Sequence, residues 1–393
     1  MKLSLLALLA STVPALAQPQ NQVDTIHTGE VVVSVLEIAT GLDTPWGLAF
    51  LPDGRMLVTE LPGDLVLVSP DGTVSEPIEG TPSVFAQGQG GLMDVALHPD
   101  FAENRLVYLS FAEPGEDATA GTSLGRGRLS EDATRIEDWE VIFRQEPKVE
   151  GPNHFGNRIA FDGAGHVFLA LGERFQFGPA QDLSNTMGTT VRLNLDGTIP
   201  QDNPFVGQDG EDAIWSYGHR NIESAIWNSE AEQLWVVEMG PLGGDELNFV
   251  EPGANYGWPV VSWGINYDGT DIPNPPEYPE FADAAHHWSP VRSPAGMILY
   301  TGDLFPDWQG DILFGALSAG GVERVDMENG AVAGTQFLPL NTRIREVVEG
   351  PDGAIYLLTN VRGEAAGSVW RLEPFEVQPP SADGDRSGSG ASD

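Results

Sequence analysis

The 393-residue chain carries 58 acidic against 19 basic side chains, a formal net charge of -39 at pH 7, and no cysteine. That balance excludes nucleic acid and anionic membranes as partners, because both need clustered Lys and Arg. The missing thiols exclude cysteine catalysis, disulfides and cysteine-based metal sites.

In chain order, Lys2, an apolar run from Leu3 to Leu9 and the triplet Ala15-Leu16-Ala17 form a secretory signal pattern over residues 1–17, with cleavage expected near Gln18. The run is shorter than the roughly 20 residues of a membrane span. The expectation is a periplasmic or secreted protein without a membrane span. A motif of apolar strand, turn and apolar strand then recurs: GLAFLPDGRMLVTE from Gly47, DVALHPDFAENRLVYLSF from Asp94, RIAFDGAGHVFLALGE from Arg158, AIWNSEAEQLWVVEMG from Ala225, GMILYTGDLFPDWQGDILFGAL from Gly296 and EVVEGPDGAIYLLTN from Glu346. Alternating apolar residues around Pro-Asp or Asp-Gly turns specify antiparallel hairpins. Six of them at irregular spacing point to an all-β, six-bladed β-propeller over residues 18–377, with a pair of β-sandwiches as the alternative. The strand GSVWRLEP is expected to pair with the first blade and close the ring. The Ser-, Gly-, Asp- and Pro-rich segment 378–393 reads as a disordered acidic tail.

Metalloprotease, nucleophile-elbow and phosphate-loop signatures are missing from any convincing context. Polar residues flank the hairpin strands instead, where a propeller brings its blade ends to the central channel: Gln89, His154, Glu173, Arg220, Asn221, Arg343 and Arg345. His98, His166, His286 and His287 read as structural. His154 directly precedes a repeat strand, and Glu173 ends that hairpin, so the carboxylate can orient the imidazole and raise its basicity. Arg343 and Arg345 alternate along a strand and share a face, which calls for an anion unless Glu346 or Glu349 pairs with them. Between Met239 and Pro259 the chain is Gly-rich and acidic, and carbonyls beside Asp245 and Glu246 are hard ligands that suit Ca²⁺. A plain blade connection is the other reading.

PWGLAFLPDG, GQGGLMDVALHPDF, NHFGNR, WSYGHRN, GPLGGDELN, NYGWP and RIREV, in this order from about Ala39 to Pro374, together resemble the soluble quinoprotein glucose dehydrogenases and aldose sugar dehydrogenases, the glucose/sorbosone dehydrogenase family. The resemblance implies pyrroloquinoline quinone (PQQ) and calcium at the channel mouth. It also implies oxidation of an aldose C1 hydroxyl to a lactone, hydride passing to the quinone and electrons then to an external acceptor, in a monomer or homodimer. By the same resemblance His154 is the catalytic base with Glu173 its partner, and Arg220 stabilises charge on the quinone oxygen. Gln89, Arg220, Asn221, Trp263, Tyr267, Arg343 and Arg345 contact cofactor or sugar. Gly240 and Pro241 bind the cofactor's calcium through carbonyls, and Glu246 with Tyr256 forms a second calcium site.

Three departures stand out. Ile222-Glu223-Ser224 replaces a frequent Pro-Gln-Gly, Met239 replaces a polar residue, and Ser318 stands where many members have Lys, with Arg292 the candidate to compensate. A calcium-dependent lactonase and a non-catalytic binding propeller are the rival functions.

Overall fold

The computed structural model describes residues 21–361 and 366–375; the expected signal and acidic tail lie outside them. The first repeat shows how the sequence makes its hairpins. Strand Pro45–Phe50 turns at Leu51-Pro52-Asp53-Gly54 and returns as Met56–Glu60. Gly54 sits at φ 86°, a left-handed conformation that costs glycine nothing. Leu65–Val68 adds a third strand.

Four-stranded antiparallel sheets follow, with innermost strands Leu92–Leu97, Gly156–Phe161, Ile222–Asn228 and Pro294–Leu299. The sixth sheet has five strands: Ile344–Glu349, Ile355–Thr359 and Gly367–Pro374, then Val32–Leu42 and Gln22–His27 from the other end of the chain. Ring closure therefore differs from the sequence expectation. GSVWRLEP does not join the first hairpin; it pairs with Val32–Leu42, upstream of every repeat. That strand forms a further hairpin with Gln22–His27, turning at Thr28-Gly29-Glu30-Val31, which the six-repeat reading did not count. The innermost strands neighbour one another in chain order, and Ile344–Glu349 meets Pro45–Phe50 to complete a six-bladed propeller.

Strand alternation supplies both faces of each blade. From His166–Leu171, Val167, Leu169 and Leu171 pack with Tyr108 and Leu124 of the preceding blade, whereas Phe168 and Ala170 pack with Ile222, Leu234 and Val236 of the following one. Each buried Val, Leu, Ile or Phe among them contributes about 1.5–3 kcal/mol.

On the axis, the Arg158 guanidinium bonds Asp94 Oδ1 at 3.2 Å and also the Glu346 carboxylate, and it stacks 4.1 Å over Trp46. A Cβ at Gly296 would collide with Glu346, so glycine is required beside this cluster. Two carboxylates share one guanidinium there. Burial, together with the charge of Asp94, pushes Glu346 up to about 7 against the pull of Arg158. At the C-terminal ends of the innermost strands the axis widens into a cavity of about 630 Å³ lined from all six blades.

Candidate active site

The innermost strands all begin on the opposite face, so residues just ahead of each strand converge on one opening. His154, two residues before Gly156–Phe161, adopts a left-handed φ of 53°. Its backbone N–H donates to Gln89 Oε1 at 2.6 Å, and its Nδ1 lies 2.9 Å from Glu173 Oε2. Glu173 is fully buried. It also accepts from Trp258 Nε1 at 3.2 Å and from the Phe175 backbone N–H, which together fix its carboxylate. Gly172 lets this close packing occur, since a Cβ there would strike the His154 carbonyl and Asn221 Oδ1. A carboxylate on Nδ1 holds the proton on that nitrogen and leaves Nε2 as the basic atom.

Gln89, His154, Arg220, Arg343 and Arg345 line a cavity of about 300 Å³ together with Gly240 and Pro241. A second lobe of about 290 Å³ shares Gln89, Glu223 and Arg345 and extends across Trp46 to Asn360. Arg220 is held from several sides. Its Nη1 donates to the carbonyls of Met239 at 3.0 Å and Gly240 at 2.9 Å, its Nη2 to the Tyr267 hydroxyl at 2.8 Å, and Trp258 lies 5.3 Å beneath it. Arg343 Nη1 reaches the Leu317 carbonyl at 3.3 Å, and Arg345 Nη1 pairs with Glu223.

A family model described as Glucose / Sorbosone dehydrogenase matches residues 42–371. The chain belongs to this family. It is 43% identical over 353 residues to the aldose sugar dehydrogenase YliI of Escherichia coli, covering 87% of this chain and 93% of that one. The apo-form crystal structure of the soluble E. coli aldose sugar dehydrogenase superimposes with a TM-score of 0.83 at 42% identity, covering 87% of this chain and 100% of that one. The PQQ-bound aldose sugar dehydrogenase of Streptomyces coelicolor gives 0.72 at 28% identity, covering 87% and 98%. Membership makes the protein a sugar dehydrogenase-type oxidoreductase.

Within this glucose/sorbosone dehydrogenase scaffold several expected contacts fall elsewhere. Glu173, expected as the acidic partner of His154, lies behind it with Oε2 2.9 Å from Nδ1 and lines neither lobe. Asn221, fully buried, accepts from the Gly156 N–H at 3.1 Å and donates to Glu223 Oε1 at 3.0 Å; it is a brace, not a lining group. Trp263 is turned away, stacked 4.1 Å from His287 with Nε1 donating to Asp283. Tyr267 stands at the mouth, more than half exposed. Arg292 does not enter the cavity. Its Nε donates to buried Glu323 Oε2 at 2.7 Å and its guanidinium lies over Phe337, while the Ser318 hydroxyl bonds Ser293 Oγ at 2.8 Å.

The second calcium proposal also changes in detail. The Tyr256 hydroxyl donates to the Phe249 carbonyl and accepts from the Glu251 N–H, so it does not face a cation. Glu246 lies opposite Glu238 across paired strands, with a void of about 10 Å³ beside them. Burial and the neighbouring Glu238 raise the Glu246 carboxyl well above its usual range. Sequence reasoning missed Glu238, which accepts from His219 Nδ1 at 2.7 Å and the Arg220 N–H at 2.7 Å. Its signal was available: it directly precedes Met239-Gly240. Among the described residues no three His, Asp or Glu side chains gather as a metal cage, so any cation would need backbone carbonyls beside at most two side-chain ligands.

Proposed function

We propose that the protein oxidises the anomeric C1 hydroxyl of aldose sugars to lactones with PQQ and Ca²⁺ as cofactors, in the periplasm or outside the cell. The observation that carries this reading is the convergence of the Glu173-oriented His154 with Arg220, Arg343 and Arg345 on one cavity in a strongly acidic protein. Such a cavity suits a multiply charged anion. Arg220 Nε, buried and without a hydrogen-bond partner among the described residues, leaves a donor for it. Gly240 and Pro241 expose backbone to the same space, though the Gly240 carbonyl already receives Arg220, so a calcium ion would share that oxygen.

When bound, PQQ supplies the acceptor for the C1 hydride and Ca²⁺ a Lewis acid beside it. The chain's own residues do the rest. His154 Nε2 takes the C1 hydroxyl proton as the hydride leaves, and Glu173 stabilises the imidazolium so formed. Arg220, anchored by two carbonyls and Tyr267, presents fixed positive charge to oxygen atoms that gain charge in the reaction. Arg343 and Arg345 orient the anionic cofactor. The six apolar blade interfaces keep this geometry rigid.

Reconstitution tests the reading. Purified protein given PQQ and Ca²⁺ reduces an artificial dye only when an aldose is present. Lactone hydrolysis without PQQ would indicate the lactonase instead, and neither activity would indicate a binding propeller.

A further inference from the structure

Glu223 is the one carboxylate that lines both lobes of the cavity. It is 5% exposed, and its fixation is thorough: Arg345 Nη1 donates to Oε2, Asn221 Nδ2 to Oε1 at 3.0 Å, and Arg158 Nε to its backbone carbonyl at 2.7 Å. Arg345, 6% exposed, also lies 5.3 Å over Trp46. A cation that would hold an anionic ligand is thus already engaged by an anion belonging to the wall.

We infer that Glu223 is a resident counter-anion of the cavity: it holds Arg345 in place while the cavity is empty and competes with an entering carboxylate ligand for the same guanidinium. The inference rests on the reading of PQQ as that ligand. In a water-poor pocket two anions on one guanidinium repel strongly, so entry of the ligand requires the pair to be shared or broken. Glu223 therefore has effects of opposite sign. It stabilises the empty protein by satisfying a buried charge and lowers the affinity of the same site for anions. A glutamine keeps the side-chain shape and can still accept from Asn221, but removes the competing charge.

The test is a titration of wild type, Glu223→Gln and Glu223→Asp with PQQ at fixed Ca²⁺, beside the melting temperature of each protein without PQQ. Glu223→Gln is expected to bind PQQ about 10-fold or more tightly, the equivalent of one charge-assisted hydrogen bond released to the ligand, while its PQQ-free form melts lower. Glu223→Asp, which keeps the charge, stays close to wild-type affinity. If wild type binds PQQ and Glu223→Gln binds it equally or more weakly, Glu223 is only a structural support and the inference is overturned. If none of the three proteins binds PQQ, the cofactor assignment itself falls, and this inference with it.

Discussion

Arg292 and Glu323 form an ion pair of 2.7 Å beside the cavity rather than in it, with Glu323 also accepting from Trp288 Nε1 at 3.2 Å. Arg292 is therefore committed to its own blade, and the position of the missing family lysine is filled by a pair of serine hydroxyls instead. Arg292→Ala is expected to destabilise the fold by about 1–3 kcal/mol, since it strands a buried carboxylate. PQQ affinity should not change. Denaturant unfolding and a PQQ titration on the same preparation check both halves; weakened cofactor binding without lost stability would contradict the geometry.

His154→Ala is expected to lower kcat by about 10²- to 10⁴-fold with the fold intact, because the imidazole acts on the substrate proton. Glu173→Gln should also slow turnover while shifting the pH profile, since it changes the group that orients Nδ1. Steady-state kinetics across pH on reconstituted enzyme separates them: an unaltered profile in Glu173→Gln would remove its positioning role.

Glu246 and Glu238 are buried opposite one another, so a cation between them relieves repulsion. Added Ca²⁺ is expected to raise the melting temperature, by an amount equivalent to about 2.7 kcal/mol at a concentration 100 times the Kd. The increment should shrink in Glu246→Gln, leaving only the share of a cation bound beside Gly240 and Pro241. Calorimetry after thorough chelation, with and without Ca²⁺, reads it directly, and an equal increment in the variant would place the ion elsewhere.

The axial cluster predicts a pH dependence of stability. Glu346 titrates near 7 in the folded protein against 4.5 for an unperturbed glutamate. Because its folded pKa is raised, the native state holds the proton more tightly than the unfolded chain. The protonated carboxyl therefore favours folding below about 4.5, and that advantage is lost as pH rises towards 7, by at most about 3 kcal/mol. Glu346→Gln should flatten the wild-type decline. Urea unfolding at pH 5 and pH 8 measures it; identical slopes in both proteins would show that Glu346 is ionised throughout.

Much of this architecture could be read from the chain because its signals are local. Five of the six hairpins carry a Pro-Asp or Asp-Gly turn, the fourth turning at Asn228-Ser229-Glu230 instead, and residues ahead of each inner strand share an end of the propeller by topology alone. What escaped was whatever depends on side-chain direction across blades. Nothing near Arg292 in sequence names Glu323, 31 residues on, as its partner. Trp263 and Tyr267 are four positions apart in one loop, yet one stacks on His287 and the other reaches Arg220. Asn221 and Glu173 lie one layer behind the cavity wall, a distinction set by packing depth.

Sealing the last blade with Val32–Leu42 ties the two ends of the chain into a single sheet. A nascent chain can complete the middle blades as they emerge, but the gap beside the first blade stays open until Gly367–Pro374 is available to pair. Truncation from either end therefore exposes a bare strand edge suited to pairing with another chain, and damage at the extremities is expected to surface as aggregation rather than as a local loss of order.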